Sequence, residues 1–330
     1  MFPRMAVLGL VAVFASAAAA PIDSLEDVTL GGTRQKILIQ GNDTANPLLL
    51  WLHGGPGEPA MLISHHFSAT LKQRMTIVHW DQPGAGLSYD PQHPLTSLTE
   101  KQIEDDALAL TDKLLKRFGR TKLYLIGHSF GSLIGTRLAA AHPDRFCAYI
   151  GMGQLVNGER SFQITRDWLK AEMSKANDAA GLKALANASD MDVFQMVRAR
   201  GGVLHQKVDY RGIVNASPYY FDGYWEQKET AKHEVVELLG AHVGVTHSPP
   251  VEGIRTLKVP AFYFEGRYDR IPATAPELVV DYVAKLKAPY KEIVWFENSG
   301  HLPNMDEPQA FQAAIIDHVL AKTAHCGLAN

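Results

Sequence analysis

Short, almost wholly apolar runs recur along the chain and alternate with stretches of helical periodicity. Strands that are buried on both faces lack the polar–apolar alternation of half-exposed strands, so such runs are typical of a covered sheet. The runs span residues 47–53, 76–80, 122–127, 148–152, 261–265 and 292–296. Because helical patterns separate them, the sequence predicts an α/β protein whose mostly parallel central sheet is flanked by helices.

Weaker strand candidates and three helices complete this pattern. Two short strands are predicted at 27–30 and 35–40, on either side of the turn pair Gly31-Gly32. Thr99 is a good N-cap for the first helix, and Pro308 suits the first position of the last one. The predicted helices cover residues 99–118, 130–141 and 308–324.

The alternation stops between Leu155 and about Pro250 and then resumes. This middle stretch is more polar, reads as mainly helical and contains aromatic clusters at 219–221 and 224–225. An insertion between two core strands fits this pattern better than an independent domain. The predicted organisation is therefore a first core part at 21–154, a helical cap at 155–250 and a second core part at 251–330.

The first twenty residues resemble a secretory signal peptide. Arg4 gives a short positive start, the residues up to Ala20 are apolar and small, and Pro21 follows. A membrane anchor is the alternative, but the apolar stretch is shorter than the roughly 20 residues that span a bilayer. We therefore expect cleavage around 17–20, a secreted or periplasmic protein, and no stable membrane insertion after cleavage.

Charge and cysteine content limit the possible partners. The formal net charge is -3, and no Lys/Arg run is present, which disfavours nucleic acid as a partner. Cys147 and Cys326 could pair outside the cell or remain as two buried thiols. Their spacing excludes a cysteine-based zinc site, and the adjacent His65 and His66 lack carboxylates nearby. No metal or cofactor is predicted, and the sequence does not indicate an oligomeric state.

A candidate nucleophile lies between a predicted buried strand and a helix. The segment Gly127-His128-Ser129-Phe130-Gly131 has the pattern GxSxG. In strand–turn–helix context, this pattern holds a serine on a sharp turn with its hydroxyl exposed at the helix N-terminus. The flanking glycines are needed because neighbouring backbone crowds the turn. We therefore predict that Ser129 is a catalytic nucleophile.

A nucleophilic serine requires a base and a carboxylate that orients the base. In this architecture they follow the serine in the order acid, then histidine. Asp269 and His301 each follow a predicted strand, where the active sites of parallel sheets collect. His318 and His325 are less suitable, because they lie on the predicted terminal helix or beyond it. The sequence thus predicts a triad of Ser129, Asp269 and His301.

Two backbone N–H groups are candidates for stabilising a developing oxyanion. One belongs to Phe130, directly after the serine. The other belongs to Gly55 in the segment HGGPG at 53–57, since glycines let backbone N–H groups face a ligand without obstruction.

Five motifs occur in a fixed order: HGGPG at 53–57, DQPGAGLS at 81–88, GHSFGS at 127–132, GRYD at 266–269 and SGH at 299–301. This set resembles the α/β-hydrolase superfamily, and within it the proline iminopeptidase family of serine peptidases. The resemblance covers residues 48–154 and 259–330. It implies an eight-stranded sheet, a mainly helical cap inserted after the sixth strand, and the same triad and oxyanion hole. It also implies removal of an N-terminal residue, often proline, from peptides.

The sequence departs from that family at several positions. Pro83 stands where the family has Arg, and His128 and Phe130 replace Gly and Trp. Family members hold the free amine of the substrate with cap glutamates. Trp225-Glu226 resembles part of one such site, which makes Glu226 a candidate substrate-binding residue, while the surroundings of the second glutamate are absent. Glu58, directly after HGGPG, could also meet a cationic group.

Three functions fit these observations. The first is a peptidase that removes an N-terminal residue through an acyl-enzyme. The second is a carboxylesterase or other hydrolase of small acyl substrates with the same triad. The third is a non-catalytic binding protein on the same fold, which the complete set of Ser129, Asp269 and His301 disfavours.

Overall fold

The computed structural model describes residues 20–241, 249–323 and 326. Its centre is one eight-stranded sheet with the strand order β1-β2-β4-β3-β5-β6-β7-β8. β2 is antiparallel to β1 and β4. The other six strands, β4, β3, β5, β6, β7 and β8 in sheet order, are parallel to one another. The strands are β1 Ile22–Leu30, β2 Thr33–Gly41, β3 Leu48–Leu52, β4 Thr76–Asp81, β5 Leu123–His128, β6 Phe146–Met152, β7 Ala261–Gly266 and β8 Lys291–Phe296. The predicted mostly parallel α/β architecture is confirmed.

Helices cover both faces of this sheet. α2, α3 and α9 pack on one face, while α1, α10 and α11 pack on the other. The helices are α1 Ser64–Phe67, α2 Glu100–Phe118, α3 Phe130–Ala141, α4 Gly158–Lys175, α5 Ala179–Ala186, α6 Asp190–Arg198, α7 Tyr210–Asn215, α8 Tyr224–Leu239, α9 Pro276–Lys285, α10 Pro303–Asp306 and α11 Pro308–Ala314.

The central strand β3 shows why the apolar runs are continuous. Leu48, Leu50 and Leu52 pack into the core on one face of the sheet, and Leu49 and Trp51 pack into the core on the other. Successive side chains of a strand point to opposite faces, so both sets must be apolar when both faces are covered.

Some elements differ from their predicted bounds. β1 and β2 are longer than the two weak strands predicted from the sequence, and Gly31 and Gly32 join them with φ of 54° and 83°. The predicted helix 308–324 divides, because α11 ends at Ala314 and a π-helical segment, Ile315–Leu320, follows it. α9 was not predicted.

Among the described residues between β6 and β7 there are five helices, α4 to α8. Part of this region has a small core of its own, formed by Leu169, Met173, Leu185, Val193 and Val197. α8 is held differently, since its buried Tyr224 and Val235 join the cores of the sheet. These helices occupy the place of the predicted cap, whose bounds of 155–250 stay a prediction.

The two cysteines form a disulfide between β6 and the C-terminal segment. The Cα atoms of Cys147 and Cys326 are 5.5 Å apart. The pairing that the sequence left open is thus present in the structure. Residues 1–19 of the predicted signal peptide lie outside the described residues. Within the described ranges, no helix combines the length and the apolar character that a membrane span requires.

Candidate active site

Ser129 occupies a strained turn between β5 and α3. Its φ is 53° and its ψ is -120°, a conformation that costs energy for a residue with a side chain. The flanking glycines are required by close backbone contacts. A Cβ atom on Gly127 would lie 2.4 Å from the Gly131 carbonyl oxygen, and one on Gly131 would lie 2.3 Å from the Leu52 carbonyl oxygen. The backbone crowding predicted from the sequence is therefore present at both glycines.

Backbone hydrogen bonds fix this turn. The Ser129 N–H donates to the Met152 carbonyl at 2.9 Å, which ties the turn to the end of β6. The Ser129 carbonyl accepts from the Ser132 N–H at 2.8 Å and from its hydroxyl at 2.6 Å. Ser129 is 6% exposed, so its side chain lies in a covered site.

Asp269 and His301 are in direct contact. Asp269 Oδ2 lies 2.7 Å from His301 Nδ1, and the carboxylate is completely buried. Asp269 also accepts from the Ile271 N–H at 2.9 Å and from the Thr274 hydroxyl at 3.2 Å. The contact through Nδ1 leaves Nε2 of His301 as the ring nitrogen that can accept a proton from a nucleophile.

The three predicted triad residues follow the carboxyl ends of β5, β7 and β8. The ring of His128, next to Ser129, packs on the His301 ring with centroids 4.7 Å apart. His128 Nε2 also lies 3.2 Å from the His301 carbonyl oxygen. The sheet thus brings the Ser129 turn against the loop that carries His301.

Gly153 is a structural requirement of this site that sequence reasoning missed. Its φ is 52°, and a Cβ atom there would lie 2.6 Å from His301 Cε1 and 2.7 Å from Nδ1. Only glycine leaves room for the imidazole at this point. The only indication in the sequence is its position directly after the apolar run that forms β6.

The HGGPG loop passes beside Ser129. A Cβ atom on Gly54 would lie 2.9 Å from Ser129 Cβ. Gly55 has a φ of 113°, and its N–H has no hydrogen-bond partner among the described residues. Phe130 is the first residue of α3, so its N–H has no acceptor within the helix. Both predicted oxyanion-hole donors are therefore available for a ligand.

His53 connects this loop to Gln82 through hydrogen bonds. Its Nδ1 lies 2.9 Å from the Gly54 carbonyl, and its Nε2 accepts from the Gln82 N–H at 3.1 Å. The side-chain amide of Gln82 donates a hydrogen bond to the His53 carbonyl at 3.0 Å. Burial lowers the pKa of His53 to about 4, so the ring is neutral at neutral pH.

Two further buried carboxyls support the backbone. Asp81 accepts from the Leu87 N–H at 2.8 Å, and burial raises its pKa to about 7. Glu265, at the end of β7, accepts from the Gln154 N–H at 3.1 Å. Burial and the nearby charge of Asp269 raise the pKa of Glu265 well above its usual range. This shift favours the neutral form of Glu265, which places no second negative charge next to Asp269.

Residues 202–206, in the insertion between β6 and β7, are hydrogen-bonded to the loops that carry Asp269 and His301. The Gly202 carbonyl accepts from the Arg270 N–H at 3.1 Å, and the Val203 carbonyl accepts from the His301 N–H at 2.7 Å. We call residues 202–206 the strap. Its position could not be predicted, because no local pattern indicates contacts with loops so distant in sequence.

Asp306 holds the strap to the His301 loop. Its carboxylate accepts from the N–H groups of His205 at 3.0 Å, Gln206 at 2.9 Å and Gly300 at 2.8 Å. Asp306 is 9% exposed. One carboxylate therefore orders the backbone on both sides of the cap–core boundary beside His301.

Glu58 ends the HGGPG loop and meets two lysines of α8. Its carboxylate lies 2.6 Å from Lys228 Nζ and also pairs with Lys232 Nζ. Burial by itself raises the pKa of Glu58, but the charges of Lys228 and Lys232 lower it to about 2. The cationic group that Glu58 was expected to meet comes from the chain itself.

Glu226 lies on the exposed side of α8. Its side chain is exposed, while Tyr224, Lys228 and Ala231 form the buried face of α8. Helical residues two positions apart point about 200° away from each other, which places Glu226 opposite Lys228. Within the described part of the chain, no group of three or more His, Cys, Asp or Glu side chains could hold a metal ion.

The fold and the site together define a class of protein. A model described as "Alpha/beta hydrolase family" matches residues 49–314. The chain therefore belongs to the alpha/beta hydrolase family, as its ordered motifs and its sheet indicate.

Individual relatives agree with this assignment. The chain is 31% identical to "Probable aminopeptidase YbaC" of Bacillus subtilis over 313 residues, covering 89% of this chain and 95% of the relative. It is 20% identical to the proline iminopeptidase of Heyndrickxia coagulans, covering 88% and 96% of the two chains. The crystal structure of the proline iminopeptidase of Mycobacterium smegmatis superposes with a TM-score of 0.68 at 19% identity, covering 91% and 98%. The predicted resemblance to proline iminopeptidases is thus confirmed.

Proposed function

We propose that this chain is a serine hydrolase that forms an acyl-enzyme on Ser129 and transfers the acyl group to water. One observation carries the proposal: a buried carboxylate lies 2.7 Å from Nδ1 of a histidine, beside a serine in a strained turn. Serine nucleophiles are activated by a histidine that a carboxylate orients, and the ring of His128, next to Ser129, packs on that histidine.

The residues divide the reaction between them. His301 Nε2 takes the proton of Ser129 as its oxygen attacks the carbonyl carbon, and Asp269 stabilises the imidazolium that forms. The N–H groups of Gly55 and Phe130 bind the developing oxyanion. His301 then gives its proton to the leaving group, and a water molecule, activated by the same imidazole, releases the acyl group.

Two substrate classes follow from this chemistry. Removal of an N-terminal residue from peptides is supported by the likeness to the probable aminopeptidase and the proline iminopeptidases. Hydrolysis of small acyl substrates such as esters is supported by the cap. Glu58 is paired with two lysines and Glu226 is exposed, so neither is placed to hold a substrate amine.

The nucleophile can be tested by covalent labelling. The mature protein is treated with a fluorophosphonate probe, and the labelled peptide is located by mass spectrometry. We expect Ser129 to carry the probe and Ser129→Ala to lose both the label and all hydrolytic activity. Labelling of another serine, or an active Ser129→Ala protein, would disprove the proposed mechanism.

The two substrate classes are separated by a matched set of substrates. Pro-β-naphthylamide, its N-blocked form and a short-chain p-nitrophenyl ester are compared at equal enzyme concentration. Cleavage of the free-amine amide alone establishes the aminopeptidase. Cleavage of the ester without cleavage of either amide establishes the esterase.

We also propose that the mature protein works outside the cytoplasm. The apolar N-terminal segment ending near Ala20 and the Cys147–Cys326 disulfide support this proposal, since disulfides persist in oxidising compartments. Fractionation of the producing cells, with N-terminal sequencing of the exported form, tests it. Full-length protein retained in the cytoplasm would contradict it.

A further inference from the structure

Three charged side chains meet where α8 packs on the loop beside Ser129, and the proposed mechanism does not use them. They are Lys228, Glu58 and Lys232, which we call the Lys–Glu–Lys cluster. Lys228 Nζ lies 2.6 Å from Glu58 Oε2 and its side chain is 5% exposed, while Lys232 pairs with the other carboxylate oxygen. A buried lysine is uncommon, and its ammonium group needs a compensating charge.

The cluster is attached to the part of the chain that receives the substrate carbonyl. The Glu58 N–H donates to the Gly54 carbonyl at 3.1 Å, and Gly54 closely approaches Ser129. α8 lies on the same loop, because a Cβ atom on Gly57 would lie 3.1 Å from Lys232 Cα. The acyl half of a substrate stays against this loop through both steps of the reaction.

The three groups together carry an excess of positive charge. The two lysines lower the pKa of Glu58 to about 2, so this carboxylate is charged at neutral pH. Burial lowers the pKa of Lys232, but the charge of Glu58 raises it by more. The pKa of Lys232 therefore lies above its usual value, and Lys232 is a cation. Glu229 lies 3.6 Å from Lys228, but its side chain is 67% exposed and its charge is screened by water. Two ammonium groups therefore share one carboxylate.

The carboxylates named so far as possible partners of a substrate ammonium group are either engaged by the chain or exposed. Asp269 is bonded to His301, Glu58 to the two lysines, and Glu226 is exposed. Every Asp and Glu of the chain lies in the part that the structure describes, because residues 1–19, 242–248, 324–325 and 327–330 contain neither.

We propose that the Lys–Glu–Lys cluster selects substrates whose acyl group carries a carboxylate and disfavours substrates with a free ammonium group. The cluster sits beside the oxyanion loop, bears two cations for one anion and is partly removed from water, where charges interact more strongly than in bulk solvent. This inference rests on the acyl-enzyme chemistry proposed above and favours its second substrate class.

Three esters with one leaving group test the charge preference. They are p-nitrophenyl hexanoate, p-nitrophenyl hydrogen adipate and p-nitrophenyl ε-aminocaproate, which present a methyl, a carboxylate and an ammonium group at similar chain length. We expect kcat/KM for the adipate to exceed that for the hexanoate about tenfold, and the ε-aminocaproate to be the poorest substrate. A faster reaction with the ε-aminocaproate than with the adipate would overturn the proposal.

Two variants change the net charge of the cluster in opposite directions. Lys232→Met leaves a neutral Lys228–Glu58 pair, so the adipate-to-hexanoate ratio should fall towards one. Glu58→Gln leaves two cations, so the ratio should rise above that of the unchanged protein. Lys170→Met, at an exposed position of α4, is the matched control and should leave the ratio unchanged.

The ratio separates a charge effect from a structural one. A cluster that only holds α8 on the loop would slow all three esters equally in both variants, and the constant ratio would overturn the inference. The proposed function is judged separately by fluorophosphonate labelling of Ser129. If Ser129 is labelled and the hexanoate is hydrolysed without charge preference, only this inference fails; if Ser129 is unreactive, both fail.

Discussion

The carboxyl edge of the sheet and the cap region face the same site, but they position their side chains in different ways. At the sheet edge, Ser129, Asp269 and His301 each follow a strand and are fixed by short backbone contacts. On α8, the position of each side chain depends on how the helix is rotated about its axis. Lys228 is buried against Glu58, while Glu226, two residues earlier, is exposed. The comparison indicates that chain order fixes the candidate catalytic residues, whereas the rotation of α8 decides which of its charged side chains lies against the loop beside Ser129.

The largest expected effect is at the sheet edge, on the contact between Asp269 and His301. Asp269→Asn replaces the buried carboxylate by an amide, which neither fixes the required tautomer nor stabilises an imidazolium. We expect kcat to fall about ten-thousand-fold with the fold intact. Steady-state kinetics and thermal unfolding check this together. A loss of less than tenfold would mean that the sheet edge does not hold the catalytic acid.

The second prediction concerns the bond between the two regions. Asp306→Asn leaves one acceptor oxygen for three N–H groups, so at least one of these donors loses its partner. We expect unfolding to require about 3 kcal/mol less free energy, because hydrogen bonds to charged groups are the strong ones. We also expect kcat to fall about tenfold well below the unfolding temperature, because the His301 loop is no longer held.

Asp281→Asn, at an exposed position of α9, is the matched control for this variant. It should change neither the free energy of unfolding nor kcat. An Asp306→Asn protein with reduced stability but unchanged kcat would show that the strap stabilises the cap without positioning His301.

The third prediction compares the pH dependence of stability that a buried histidine and an exposed histidine cause. His79 is buried against Trp51, no partner for its ring nitrogens is found among the described residues, and burial lowers its pKa to about 3. The unfolded chain binds a proton at this residue below about pH 6.5, but the native chain does not until about pH 3. Stability from His79 is therefore present above pH 6.5 and is lost as the pH falls towards 3.

At pH 5 this loss amounts to about 2 kcal/mol. His79→Leu should remove it, so the free energy of unfolding should fall less between pH 7 and pH 5 than in the unchanged protein. Urea titrations at the two pH values measure the difference. His233→Leu, at an exposed position of α8, is the control and should keep the original pH dependence.

The smallest effect is expected at Glu226. Glu226→Gln removes an exposed charge, which changes stability by less than about 0.5 kcal/mol. We expect less than a twofold change in kcat/KM for every substrate, in contrast to Lys232→Met on the same helix. A tenfold or larger rise in KM restricted to Pro-β-naphthylamide would support the sequence-based prediction that Glu226 binds the substrate amine.

The sequence by itself determined the sheet and the order of the candidate catalytic residues. Both depend on local patterns: apolar runs of strand length, glycines at turns that neighbouring backbone crowds, and polar residues directly after strands. Parallel strands end at one edge of the sheet, so Asp269 and His301 could be assigned together before their 2.7 Å contact was seen. Gly153 escaped this reasoning, because its need arises from the imidazole of a distant loop.

Only the tertiary structure decided which cap side chains reach the site. Glu58 and Lys232 are 174 residues apart in sequence, and Asp306 is 101 residues from His205, whose N–H it accepts. No periodicity encodes such pairs, since they depend on how α8 is rotated and on where the strap crosses two loops. When polar residues lie on several faces of a helix, the sequence does not show which face is buried. On α8, tertiary packing buries the face that carries Lys228 and leaves Glu226 in solvent.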